Sequence, residues 1–225
     1  MVTLFMLLAA VGDVHTPKFI DLLDFTHVDW SKVDVFILVG DLVLKGDCTQ
    51  LDTLLEKIRN HYSGKIFAVF GNEDYNPQCM RRKDIEWLDN KITNFNGYSI
   101  VGSKGVLDHP TAWQRRNIKD IELRYQNTYN WLYKHVKPGS IVVTHYPPIA
   151  ETSKGENPKH FPFMLGTRMK RIILDKNPLI WIHAHTHRSK VHYAIVGNTR
   201  VYNVSLPAVK RITLIETDPL RRFLK

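Results

Sequence analysis

Five strand-length apolar runs, LFMLLAAV (4–11), VDVFILV (33–39), KIFAVF (65–70), SIVVT (140–144) and LIWIH (179–183), each stop abruptly at small or polar residues. The runs are rich in β-branched and aromatic residues. Near-continuous hydrophobicity over so short a length is the pattern of a strand covered on both faces. Helix-like segments lie between them. In CTQLDTLLEKIRNHY, Leu51, Leu54, Leu55 and Ile58 share one face. The segment RRNIKDIELRYQNTYNWLYKHV (115–136) predicts a helix with Ile118, Ile121, Tyr125, Leu132 and Val136 near helical spacing, stopped by KPG. A third helix is expected over LGTRMKRIILDK, ending before Pro178. Farther on, KVHYAIVGNTRVYNVS reads as two strands joined by a GN turn, and KRITLIET as another. The pattern predicts an α/β fold with a mixed sheet or two packed sheets. Residues 101–113 and 151–162 read as loops. No linker long enough to divide the chain is visible, so residues 1–225 are expected to form one domain.

Sites in open α/β sheets form beyond the carboxyl ends of the strands. Asp13 and His15 follow the first run, Asp41 the second, and Asn72, Glu73 and Asp74 the third. His145 follows the fourth, and the fifth runs into His183, His185 and His187. Taken singly, each has an ordinary reading: an aspartate caps or turns, a histidine is satisfied in a core. Together they bring oxygen and imidazole donors to one sheet edge, a set suited to borderline first-row metals. The donors outnumber what one tetrahedral ion needs, and two ions sharing a carboxylate would use them all.

In chain order, GDVH, GDLV, GNED, THYPP and AHTH span residues 13 to 187. This series resembles the calcineurin-like metallophosphoesterase superfamily, and its spacing is similar to the small Icc-like and YfcE-like phosphodiesterase branches. The resemblance implies a four-layer αββα sandwich of two mixed β-sheets flanked by helices. It implies Asp13, His15 and His187 around one metal ion, Asn72, His145 and His185 around a second, and Asp41 bridging the two. Manganese is the first candidate, with iron, zinc, nickel or cobalt as alternatives. The implied reaction is phosphodiester hydrolysis by attack of a metal-bridging hydroxide. His183 lies deeper in its strand and reads as a supporting or core histidine.

Two positions depart from the family pattern. Ala184 stands where glycine is usual, which matters only if a positive φ is required there. Glu73 stands where many members carry a histidine that assists the leaving group. A carboxylate serves as an acid only if its pKa rises, and neighbouring cations oppose that. Glu73 is therefore a candidate catalytic residue, with His109 or His160 as other acids. The departure favours diesters over monoesters. Asp74 is expected to orient a neighbour or cap a turn.

The 31 Lys and Arg against 22 Asp and Glu leave a formal charge of +9. That excess suits phosphate-bearing partners and makes nucleic acid a candidate substrate, a nuclease being one version of the enzyme. Small basic groups such as RRK (81–83), RMKR (168–171) and the terminal RRFLK carry it, without an RNA- or DNA-binding signature. Cys48 and Cys79 form no CxxC pair, which predicts a reducing, cytoplasmic setting without a disulfide framework. LFMLLAAV is similar to a signal-peptide core but follows no positive residue and runs straight into GDVH, so a buried strand is expected. No apolar run reaches membrane-spanning length. Monomer and homodimer both remain open. The alternative to an enzyme is a catalytically weak or inactive scaffold, which predicts lost ligands, yet all seven stand.

Overall fold

The computed structural model describes residues 5–218; Leu4 of the first run and the terminal RRFLK lie outside them. The strands are β1 (Leu7–Val11), β2 (Val35–Val39), β3 (Lys65–Val69), β4 (Ile85–Trp87), β5 (Lys91–Phe95) and β6 (Tyr98–Ser103). β7 (Ile141–Thr144), β8 (Ile180–His183), β9 (Tyr193–Val196), β10 (Thr199–Asn203) and β11 (Thr213–Glu216) complete them. One sheet has the order β11-β1-β2-β3-β4 and the other β5-β6-β7-β8-β10-β9. β1 to β4 run parallel, as do β6, β7, β8 and β10, while β11, β5 and β9 join antiparallel at the edges. All five apolar runs become strands of these two mixed sheets.

Alternation along the strands builds the layers. Leu8, Ala10, Val35, Ile37, Phe67 and Val69 face Ile141, Val143, Ile180 and Ile182 in the core between the sheets. The opposite faces of β1 to β3 pack on Leu51, Leu54, Leu55 and Ile58 of α1 (Gln50–Arg59). Val142, Trp181 and Val201 cover the far side of the second sheet. They meet Leu132 of α4 (Ile121–His135) and Ile172 and Ile173 of α5 (Met169–Lys176). The result is the αββα sandwich, two sheets flanked by helices. Short helices α2 (Pro77–Met80), α3 (Ala112–Asn117) and α6 (Leu206–Val209) sit in the connections. Among the described residues, no helix is long and apolar enough to cross a membrane.

Three expectations need correction. The helix expected over 115–136 is two helices, because Asp120 takes a left-handed φ of 54° between α3 and α4. α3 starts earlier than expected, at a capping box in which Thr111 and Gln114 satisfy each other's backbone N–H groups. Part of the 101–113 loop is strand β6. The two cysteines form a disulfide, with Cα atoms 6.0 Å apart and a sequence separation of 31. Nothing local announces that pair. It exists because β2 and β3 are neighbours and the segments that follow them meet.

Glu86 on β4 ties the sheets together at their edge. It accepts from Lys65 of β3 at 2.8 Å and Lys91 of β5 at 2.9 Å. These two ammonium partners lower its pKa from 4.5 to about 2. A depressed acid contributes stability that is complete above its unfolded pKa and is lost as pH falls through its folded pKa. Glu86→Gln is therefore expected to be less stable than wild type at pH 7. The difference shrinks between pH 4.5 and about 2, as urea unfolding at several pH values will measure.

Candidate metal centre

The carboxyl ends of β1, β2, β3, β7 and β8 open onto one region, so the sequence-expected donors meet although they come from two sheets. Backbone bonds from Gly12 N to Val204 O (3.0 Å) and from Leu206 N to Gly12 O (2.9 Å) hold the sheets together beside it. Ligand atoms of Asp13, His15 and His187 form one cluster, and those of Asp41, His145 and His185 a second, each within 4.8 Å. Asn72 joins the second cluster, its Oδ1 lying 3.0 Å from His145 Nε2. Asp41 lies between the clusters: its Oδ2 is 3.7 Å from His15 Nε2 and 3.5 Å from His145 Nε2. His15 and His187 face each other through Nε2 atoms 3.4 Å apart.

The donor chemistry fits divalent cations. Asp13 Oδ1 is buried without a hydrogen-bond partner, 3.5 Å from His187 Nε2. A buried carboxylate oxygen needs a countercharge or a donor. Neutral His15 and His187 can both turn lone pairs to one cation. The His145 ring is also aimed from behind. Its Nδ1 lies 3.0 Å from Val39 O and donates to it, which turns Nε2 toward Asn72 and Asp41. His15 Nδ1 lies 3.4 Å from Glu73 Oε2 without a hydrogen bond to it. A carboxylate or carbonyl behind the ring is the usual way to orient a ligating histidine.

The backbone is held in unfavourable conformations here. Asp13, His15, Asp41 and His185 have φ values of 56°, 43°, 50° and 73°. Non-glycine residues enter this region at a cost, and such outliers gather at functional sites. Hydrogen bonds hold two of them: His185 N donates to Asp13 Oδ2 at 2.7 Å, and Asp41 N to Asp74 Oδ2 at 2.9 Å. Asp74 also accepts from Leu42 N (3.1 Å) and Gly71 N (2.7 Å), so it ties the β2 and β3 ends together as an orienting residue. Gly71 is required for that closeness, since a Cβ there would collide with Asp41. Ala184 has no positive φ, and its methyl packs where Gly12 lacks a side chain. This departure from the family pattern therefore carries no backbone strain.

Charge is arranged around the buried acids. Burial opposes the ionised form of Asp13, but His187, His145 and His15 outweigh it and hold the pKa well below the ordinary carboxylate value. Asp41 is likewise lowered, burial being overcome mainly by His145. Burial would lower His145, yet the charges of Asp41 and Asp13 raise it to about 9. Burial lowers His185 to about 3, helped by repulsion from His145. Asp74 moves to about 6, through burial first and then the Asp41 charge.

His183 stands apart. Its Nδ1 donates to Ala184 O at 3.0 Å and its Nε2 accepts from Thr152 at 2.7 Å, so the ring is satisfied within the core. It supports the 151–162 segment. β8 ends at His183, and the His185 and His187 rings reach different clusters through a turned backbone at His185, where alternation along an extended strand does not operate. Glu73 is half-buried, with its N donating to Asp41 Oδ1 (2.7 Å) and its Oε2 accepting from Lys45 N (3.2 Å). A cavity of 610 Å³ opens beside Asn72 and His185, and neither His109 nor His160 lines it. Lys104, Tyr75 and Trp113 do line it. Sequence reasoning missed Lys104, although it follows β6 directly and so occupies one more strand end.

The sequence profile described as calcineurin-like phosphoesterase matches residues 6–189. No curated protein matches the chain. Among solved structures, one crystal structure is 18% identical with a TM-score of 0.64, covering 88% of this chain and 90% of its own. A protein of Thermus thermophilus is 15% identical with a TM-score of 0.61, covering 95% of this chain and 99% of its own. A putative 5′-nucleotidase from Staphylococcus aureus in complex with α-ketoglutarate is 15% identical with a TM-score of 0.54. There the match covers 88% of this chain but only 48% of the longer protein. At these identities the likeness is one of fold.

Proposed function

The chain belongs to the calcineurin-like phosphoesterase family, and on that premise we propose that it hydrolyses phosphodiesters at a binuclear centre. Family and ligand clusters fit a metal-dependent phosphohydrolase. The finer reading assigns Asp13, His15 and His187 to one ion, Asn72, His145 and His185 to the other, and Asp41 to both. The observation that carries it is the position of Asp41 Oδ2, within 3.7 Å of a ring nitrogen from each cluster. When bound, two divalent ions supply a nucleophile at neutral pH and offset charge on the phosphoryl oxygens. Manganese is the first metal to assay. The Icc-like or YfcE-like branch belongs to the same proposal, as does the treatment of residues 1–225 as one unit.

The chain's own residues prepare that site. Val39 O fixes the His145 tautomer, and Asp74 fixes the Asp41 backbone. We assign Glu73 to face His15 Nδ1 across 3.4 Å as a nearby negative charge, because its Oε2 is already taken by Lys45 N. That leaves no dedicated acid at the position many relatives use, so esters with good leaving groups are favoured. With Mn²⁺ present, bis-p-nitrophenyl phosphate is expected to be turned over at least ten-fold faster than p-nitrophenyl phosphate, on the scale of general-acid assistance (roughly 100-fold). EDTA abolishes both rates. Faster monoester turnover would reverse the diester assignment, and no turnover with any divalent ion would remove the enzyme reading. The nucleotidase name of one structural neighbour makes a nucleoside monophosphate the second substrate to assay.

A further inference from the structure

We propose that the cavity beside Asn72 and His185 is a nucleobase site, in which Tyr75 and Trp113 stack on the base of a nucleotide ester. This rests on the phosphoesterase reading for where the phosphate lies. Asn72 and His185, two of the proposed metal ligands, line the same cavity as Tyr75 and Trp113. A substrate with its phosphorus at the ligands would place one ester arm there.

The arm's chemistry follows from the walls. Tyr75 and Trp113 form a stacked pair, with centroids 5.5 Å apart and planes at 27°. They are 51% and 48% exposed, so much of both aromatic side chains stays open in the cavity lining. Each is supported from behind. Tyr75 packs on Gly46, where a Cβ would stand 3.0 Å from the ring, and Trp113 sits in the first turn of α3 beside the Thr111–Gln114 capping box. A platform held from two elements suits a flat ring, and base–aromatic stacking is the commonest sequence-tolerant way to hold a nucleotide.

Lys104 and Arg124 add basic side chains to the same lining. Asn90 and Asn127 add amide donors and acceptors. A heteroaromatic base can match those groups, whereas a hydrocarbon chain would bury them unpaired at a cost. Leu107, Ile118 and Ile121 add apolar surface to the lining. The cavity therefore combines stacking, hydrogen-bonding and cationic elements, the combination a nucleotide uses.

Two p-nitrophenyl esters with the same leaving group test this. Thymidine 5′-p-nitrophenyl phosphate carries a base, and ethyl p-nitrophenyl phosphate does not. In the Mn²⁺-loaded full chain, kcat/KM for the thymidine ester is expected to be at least about ten-fold higher, the scale of one stacked base. The Tyr75→Ala/Trp113→Ala double variant loses that ratio, and Trp113→Phe, which keeps a ring, retains most of it. Circular dichroism checks that each variant is folded. A ratio near one in wild type, or an unchanged ratio in the double variant, overturns the nucleobase site while leaving the phosphoesterase reading intact. If neither ester is turned over, the phosphoesterase reading fails, and titration calorimetry with thymidine against ribose still decides the site. Thymidine binding that depends on Tyr75 and Trp113 supports it, and equal or absent binding of the two overturns it.

Discussion

Asp41→Asn is expected to lower kcat/KM for bis-p-nitrophenyl phosphate by about 1000-fold, with the fold retained. Asp41 is set between the ligand clusters, with Oδ2 3.7 Å from His15 Nε2 and 3.5 Å from His145 Nε2. An amide has one acceptor oxygen and no charge, so it cannot offer an oxygen to each of two cations. Metal stabilisation of transition-state charge is worth several kcal/mol, and about 4 kcal/mol corresponds to roughly 1000-fold. Steady-state kinetics at saturating Mn²⁺ separates this from weak metal binding. A rate within ten-fold of wild type would show that Asp41 does not bridge.

The largest effect on stability is expected at Asp74, which no ion needs to touch. Its buried carboxylate accepts three backbone N–H groups, from Asp41, Leu42 and Gly71. Asp74→Ala leaves all three without their acceptor, and a buried unsatisfied donor costs about 1–3 kcal/mol. Relief of the repulsion between Asp74 and Asp41, which contributes to the raised Asp74 pKa, offsets part of this. A net loss of about 3 kcal/mol is expected in urea unfolding with EDTA present. Asp74→Asn falls between, because one oxygen can still serve Asp41 N and Gly71 N while an amide N–H would face Leu42 N. A fully stable Asp74→Ala protein would mean that water replaces the carboxylate. Activity should fall with stability in this series, since the same bonds place Asp41.

The contrast between these two aspartates explains what was legible in the sequence. The strand-end positions of the proposed ligands were readable because each follows an apolar run, and a run that stops at a polar residue marks a strand's carboxyl end. His183, inside such a run, could be separated from His185 and His187 for the same reason. The two sheets were readable from the continuous apolar runs and the later hairpin pattern. β5 was not, because KITNF is an edge strand with mostly exposed residues and carries no core periodicity. β6 was hidden by Gly102, which a strand pattern disfavours but which is needed where Leu88 packs closely on the backbone. The break at Asp120 depends on one left-handed residue inside a helical pattern. The Cys48–Cys79 pair and the Tyr75–Trp113 stack are products of tertiary approach, with no signal in local spacing. Glu73 was visible as a departure, but its contact with His15 was not, because that depends on the turned backbone at residue 15.

Metal content tests the central claim most directly. The purified chain, stripped with chelator, reloaded with Mn²⁺ and dialysed, is measured by inductively coupled plasma mass spectrometry against protein concentration. About two ions per chain are expected for the wild type, as a two-metal phosphoesterase centre requires, with at least one lost in Asp41→Asn. One ion or none in the wild type, with activity undiminished, would contradict the claim.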